Sequence, residues 1–296
     1  MVKCGRVSLQ EMKRGCVLRR ILLFLVLATA VIGCSKAAPD RETSIPDHPK
    51  RIVSLDYCAD QFVLKFANNS QIAAVSPDAE EPFSYMRAAA EGVPVVRPIA
   101  EDVLALNPDL IVRSYGGGPK AGHFFSRAGV PVLQVGYAAD LNGVRRVTLD
   151  MAQGLGAPEK GRTVVAELDA KLLQIKQAVS DQNNTALYMT TFGVTTGPGS
   201  LVHELMAAAG LENFEAEPGW RPIPLERLVT DNPDTIAAAF FDDPKSLKDR
   251  WSAMRHPISV RQLANRPSVH VDGAWTSCGG WFVADAVKAL ANGSAK

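Results

Sequence analysis

The chain has 296 residues, enough for two lobes of ordinary domain size, and its 47% hydrophobic and 21% charged content belong to a globular rather than a disordered polypeptide. The formal charge of +1 is set by the first 33 residues, which hold six Lys/Arg and one acid; the remainder carries 26 basic against 30 acidic residues, a net of −4. No basic patch is left to argue for nucleic acid as a partner.

Arg14, Arg19 and Arg20 precede the apolar run Ile21 to Gly33, which is too short to span a bilayer comfortably. Residues 1–33 therefore read as a signal peptide, with Met12 a second candidate start. Its ending, Val31-Ile32-Gly33-Cys34, resembles a bacterial lipoprotein box, which implies that Cys34 is lipidated and becomes the mature N-terminus. An ordinary secretory signal and a retained anchor are the alternatives. Residues 34–49 are polar with three prolines and read as a tether. Export makes the cysteines matter. Of the five, Cys4 and Cys16 lie in the leader and Cys34 at its end, which leaves Cys58 and Cys278.

Residues 50–157 are expected to form a first α/β lobe. Arg51 to Leu55 is a short apolar strand, Asp56 to Asp60 a turn, and Phe62, Val63, Leu64 and Phe66 begin a helix. In open α/β sheets, turns after the carboxyl ends of strands are where ligands bind. Ile72–Val75, Leu110–Val112 and Val130–Val135 read as further strands. The third runs into Ser114-Tyr115-Gly116-Gly117-Gly118, either an anion-receiving concavity of backbone N–H groups or a plain flexible turn.

Pro158 to Val179 carries apolar residues at Val164, Leu168, Leu172, Ile175 and Val179, the period of one helix face. Pro158 suits a first helical turn, and Asp181 to Asn184 end the helix with turn chemistry. Residues 158–181 are thus an inter-lobe helix of roughly 30 Å.

Residues 182–296 form the second expected lobe, with strands at Ala186–Thr190, Thr235–Phe240 and Val269–Val271, and a helix over Leu201–Ala209 capped by Gly210. Glu217 to Pro222 reads as a loop holding Trp220 and Arg221. Aromatics gather at strand ends: Tyr57, Tyr115, Phe192, Phe241, Trp275 and Trp281. They are either core residues or the walls of a cleft.

The chain looks alike on both sides of the long helix. Glu101-Asp-Val-Leu-Ala-Leu-Asn107-Pro108-Asp109-Leu-Ile111 matches Glu226-Arg-Leu-Val-Thr-Asp-Asn232-Pro233-Asp234-Thr-Ile236. In each, a Glu opens a short helix, Asn-Pro-Asp stops it and a strand follows.

With RIVSL at the first strand and HELMAAAGLENF after the long helix, this ordered set resembles the helical-linker solute-binding proteins of ABC importers, the group that handles cobalamin, ferric siderophores and haem. The resemblance covers nearly all of residues 50–290. It implies an α/β fold of two lobes, each a mostly parallel sheet flanked by helices, joined by one long rigid helix. It implies an extracytoplasmic, lipid-anchored monomer that holds a metal chelate between its lobes and delivers it to an ABC-importer permease. Glu101 and Glu226 match the carboxylates that dock on permease arginines in that family; the residues alone allow two solvated helix-terminal acids. The ligand-binding candidates are Tyr57, Cys58, Tyr115, Phe192, Trp220, Arg221, Trp275, Cys278 and Trp281. One departure stands out: Trp275 is kept, but Cys278 falls near where cobalamin binders carry an Arg, and Arg113 or Arg221 is the available substitute.

No Walker or dinucleotide loop and no histidine pair at ligand spacing is visible, so neither a cofactor nor a resident metal is expected. The competing class is an extracytoplasmic enzyme or structural lipoprotein on a related two-lobed fold. For Cys58 and Cys278 three readings compete: separate small apolar residues, a disulfide pinning the lobes, or cleft-facing thiols touching the cargo. The reduced, cleft-facing pair is the expectation carried forward.

Overall fold

A computed structural model describes residues 44–179, 184–239 and 255–294. The signal peptide, Cys34, most of the tether, Asp181 to Asn183 and Phe241 lie outside the described residues.

The first lobe begins with β1 (Ile52–Ser54), α1 (Tyr57–Phe66) and β2 (Ile72–Ala74). Two short helices, α2 (Arg87–Ala90) and α3 (Ala100–Ala105), lead to β3 (Leu110–Arg113). Then come α4 (Ala121–Arg127), β4 (Val132–Gln134) and α5 (Leu141–Gly154). The strands are parallel in the order β2-β1-β3-β4. β1 and β3 are buried along their whole length, as central strands covered on both faces must be.

The linker helix α6 (Pro158–Ala178) starts with proline in its first turn. Val164 and Leu168 are buried, and Leu172 and Ile175 pack against the same core. Gly161 lets α6 approach α5 closely, since a Cβ there would collide with Ala152. The core on which α6 packs also takes in Ile52 and Phe62 on one side and Leu205 and Leu290 on the other, so one apolar body runs through both lobes.

The second lobe holds β5 (Asn184–Thr190), β6 (Val194–Thr196), α7 (Leu201–Ala208), β7 (Leu211–Asn213) and β8 (Trp220–Pro222). After these come α8 (Arg227–Thr230), β9 (Thr235–Ala239), α9 (Pro257–Asn265), β10 (Ser268–His270), α10 (Gly273–Thr276) and α11 (Val283–Ser294). Its main sheet is parallel, in the order β10-β9-β5-β7. With the antiparallel pair β6–β8 set aside, this order is that of the first sheet: the first strand lies between the second and the third, and the fourth lies outside the third. The chain reads as a repeat in topology as well as in sequence.

Two expectations are corrected here. Residues 220–222 are not loop; they form β8, antiparallel to β6. Asn184 does not end the linker helix but opens β5.

The duplicated joints do the same physical work. Asp109 accepts the backbone N–H groups of Lys50 and Arg51 at 2.7 and 2.9 Å, and its own N–H donates to the Arg51 carbonyl. Asp234 accepts from the Thr185 N–H and hydroxyl, both at 2.8 Å, and returns its N–H to the Thr185 carbonyl. The Thr185 bonds hold the Asp234 carboxyl below the ordinary carboxylate range. Each joint thus ties the amino end of its lobe's third strand to that of the first. Asn107 takes the turn with φ of +45°, a conformation asparagine tolerates better than most residues.

One buried acid sets a pH dependence. Asp60, in α1, is fully buried and accepts the Ser76 N–H at 3.1 Å and hydroxyl at 2.6 Å. Burial pushes its carboxyl up to about 6, against the opposing bonds from Ser54 and Ser76. The folded value exceeds the unfolded one, so its contribution is fully present below about pH 4 and is lost as pH rises through about 6. Asp60→Asn is expected to flatten the stability profile across that window. At pH 7.5 it should gain on the order of 2 kcal/mol, read from urea unfolding at several pH values.

Candidate functional site

In a parallel sheet whose order reverses, the crevice opens at the carboxyl ends of the two strands flanking the reversal. In the first lobe these are β1 and β3. Asp56, just past β1, caps α1 by accepting the Ala59 N–H at 3.0 Å. Its other oxygen accepts three consecutive backbone N–H groups after β3, from Ser114, Tyr115 and Gly116, at 2.7, 3.0 and 2.8 Å. The anion-receiving concavity allowed by the sequence therefore exists, and the chain fills it with its own carboxylate. Gly116 is required there, because a Cβ would run into the Leu55 carbonyl. Arg113 locks the loop from below. It is buried, and its guanidinium donates to the Gly116 carbonyl at 2.8 Å, the Gly118 carbonyl at 2.9 Å and Gln134 Oε1 at 3.0 Å.

This frame presents aromatic rings. Tyr57, the first residue of α1, is half-buried, with Phe83 edge-on at 4.9 Å and Tyr115 at 6.1 Å. Tyr115 itself is 53% exposed. Burial first, then the neighbouring Asp56 and Asp78 carboxylates, raise the Tyr57 phenol, with a bond to Ser277 opposing. Tyr115 is raised for the same reasons, Tyr57 and Asp60 adding to them.

In the second lobe the equivalent edge lies past β5 and β9. Phe192 follows β5 and is 61% exposed; Trp220, on β8, is 56% exposed. The Trp220 ring meets Tyr188 edge-on at 6.1 Å, and Tyr188 is buried with Thr276 bonded to its hydroxyl. Arg221 points among acids, 3.8 Å from Glu215 and 3.7 Å from Glu217. Trp275, in α10, is half-buried against the common core.

The two edges meet. Cys58 and Cys278 are disulfide-bonded, their Cα atoms 5.5 Å apart and both residues buried. The expected reduced pair is thereby corrected: no thiolate is left to touch cargo, and the separation is that of an ordinary disulfide rather than of a ligand-sized gap. Around the bond gather Tyr57, Tyr85, Trp281 and Phe282. Trp281 also departs from expectation. It sits between the lobes against Phe62, Phe66, Tyr85 and Phe282, with Lys65 over its ring at 5.4 Å. Like Trp275, it is half-buried against the common core.

Sequence reasoning missed Phe83, Tyr85 and Asp285. Tyr85 stacks on Phe282 at 4.6 Å and donates to Asp285 Oδ2 at 2.8 Å, while Lys171 of α6 approaches the same carboxylate at 3.8 Å. First lobe, linker helix and last helix are joined there. Asp56 was visible as a turn residue, and an Asp just before an apolar helix is a capping signal, but its three donors after β3 are known only from the fold.

Glu101, in the first turn of α3, and Glu226, at the N-cap of α8, are both exposed. Neither has an ion-pair partner among the described residues. No helix among the described residues is long and apolar enough to cross a membrane.

A family model described as periplasmic binding protein matches residues 52–242. The chain belongs to the periplasmic binding protein family. Solved structures agree on the fold. A possible iron-binding (periplasmic solute-binding) protein from Staphylococcus epidermidis superposes with a TM-score of 0.67 at 18% identity, covering 84% of this chain and 99% of that one. The periplasmic haem-binding protein RhuT from Roseiflexus gives 0.65 at 20% identity, covering 83% and 99%. The periplasmic vitamin B12 binding protein BtuF of Vibrio cholerae gives 0.61 at 18%, covering 83% and 97%. No curated protein sequence matches significantly. The protein is thus a two-lobed, helical-linker solute-binding protein, and its family works outside the cytoplasm.

The disulfide gives a direct test. In native protein neither Cys58 nor Cys278 should react with a thiol reagent, and a peptide linking them should appear by mass spectrometry. The double Cys58→Ser, Cys278→Ser variant should lose about 2–4 kcal/mol in urea unfolding.

Proposed function

We propose that this solute-binding protein captures a metal chelate, of siderophore, corrinoid or haem-like type, between its lobes and hands it to an ABC-importer permease. The observation that carries the reading is the pair of switch-point edges, brought together at Cys58–Cys278, with exposed aromatic faces on both: Tyr115 on one, Phe192 and Trp220 on the other. Solvent-exposed rings held by a rigid polar frame suit a large, flat or globular ligand with few polar handles. The haem, vitamin B12 and iron-binding proteins among the structural neighbours support that class.

The same reading makes Cys34 the site of lipidation, residues 34–49 a tether and the working form an anchored monomer. Tyr57, Tyr115, Phe192, Trp220 and Trp275 are its ligand-contacting residues, with Glu101 and Glu226 its docking carboxylates. Each short helix ends at its Asn-Pro-Asp joint, which leaves the Glu at the helix's far end, exposed and without an ion-pair partner among the described residues.

Two measurements test the proposal. Trp220→Ala should weaken cargo binding by about 2 kcal/mol, as loss of a central interface aromatic does, followed by tryptophan-independent calorimetry. An unchanged affinity removes Trp220 from the site. Glu101→Arg and Glu226→Arg should each abolish uptake in cells while leaving affinity of the isolated protein within a few-fold, because charge pairs at a rim act on docking. Loss of cargo binding in either reversal would sink the docking assignment, and chemical consumption of cargo would favour an enzyme.

A further inference from the structure

We propose that Tyr137 is a further cargo-contacting ring, and that the first lobe meets its chelate across the ends of three neighbouring strands. This inference rests on the chelate reading above and extends the site it describes.

Tyr57 and Tyr115 stand past β1 and β3. β4 is the next strand of the same parallel sheet, on the far side of β3 from β1. Its carboxyl end opens on the same edge, one strand spacing of roughly 4.8 Å beyond that of β3. There the chain turns through Val135 to Asp140 before α5 begins.

This turn is held on both sides. Towards β3, Val135 is buried and donates its N–H to the Arg113 carbonyl at 2.8 Å, and Gln134 Nε2 donates to the Ser114 carbonyl at 2.6 Å. The turn is thus fastened to the loop that carries Tyr115. Towards the second lobe, Ala138 is buried in the common core and lies so close to Gly279 that a Cβ on the glycine would come within 2.7 Å of the alanine Cβ. Gly279 follows Cys278, whose disulfide reaches Cys58 just past β1. Residues 278 and 279 therefore meet the first lobe past both β1 and β4, the two strands that flank β3.

Between the pinned Val135 and Ala138 stands Tyr137, 80% exposed, the most exposed large apolar side chain among the described residues. Single exposed apolar side chains are ordinary on a surface, and Phe124 on α4 is one. Tyr137 differs in its place. It lies on the sheet edge where ligands bind, beside the Tyr115 loop and the lobe junction, on a backbone that its neighbours hold. A ring presented in that way loses little freedom on binding, and tyrosine offers a large contact face at low conformational cost. With Tyr57 and Tyr115 it gives the first lobe one tyrosine past each of three adjacent strands, a face roughly 10 Å across. The chemistry that fits is the broad apolar face of a chelate laid against the ring.

The test compares the wild-type full chain with Tyr137→Ala, Tyr137→Phe and Phe124→Ala by calorimetry, using iron protoporphyrin, cyanocobalamin and a linear ferric trihydroxamate as probes. For the probe that binds the wild type most tightly, Tyr137→Ala is expected to weaken binding about tenfold and Tyr137→Phe to keep it within about threefold, with Phe124→Ala unchanged. In the cargo-free wild type, tetranitromethane should nitrate Tyr137 readily, and loading with that probe should protect it, as mass spectrometry of the peptide holding residue 137 will show. Protection is read on the unmutated chain, so it holds even where a variant is destabilised. Unchanged affinity in Tyr137→Ala, or undiminished nitration in the loaded protein, overturns the inference and leaves the chelate reading standing. A loss in Tyr137→Phe equal to that in Tyr137→Ala overturns contact through the ring face. If no probe binds, the chelate reading falls and the inference with it.

Discussion

The Asp56 carboxylate is the interaction on which the site depends. It accepts four backbone N–H groups, one from the first turn of α1 and three from the loop after β3. Burying an ionised carboxylate costs heavily unless its lone pairs are met, and here they are met by dipoles fixed in the backbone. In return, helix start and loop are held in one geometry at the point where the strand order reverses. Many α/β proteins leave this nest open for a phosphate. Here an internal acid occupies it, and the lobe presents rings where such proteins present N–H donors.

The two sheets share a division of labour along their strands. At the amino ends, Asp109 and Asp234 repeat the same reciprocal bonding to the start of the first strand, so that edge is built twice from one pattern. At the carboxyl ends the lobes differ. The first has a carboxylate-filled turn with two tyrosines, the second an antiparallel β6–β8 pair carrying Trp220. Repetition is kept where it fixes the strands, and the two lobes diverge at the carboxyl edges. The linker helix does not stand apart from this. Its buried Val164 and Leu168 belong to the same core as both lobes.

Local pattern was enough to read the parallel strands other than β7, the linker helix and the joints, because each is announced by an apolar period or by Asn-Pro-Asp; β7 (Leu211–Asn213) is too short to show a period of its own. The β6–β8 pair was not legible. Trp220-Arg221-Pro222 has no alternation of its own and becomes a strand only because Val194 to Thr196 lies beside it. The disulfide was one of three open readings, since pairing depends on the distance between residues 220 apart in sequence. Trp275 and Trp281 shared one expectation and have different surroundings. What separates them is the position of Phe62 and Phe66 on a helix of the other lobe.

That disulfide also bears on how the molecule is made. It joins the first helix of the folded body to a residue only 18 positions from the end of the chain. A protein that crosses a membrane as an extended thread, amino end first, exposes Cys58 long before Cys278 follows. The inter-lobe bond can therefore close only after both segments have crossed. Until it forms, Cys58 is a free thiol in an oxidising space, and the nearest earlier cysteine is Cys34. After Cys58 the sequence holds one further cysteine, Cys278, so the bond waits for that segment to arrive and for the two lobes to come into register.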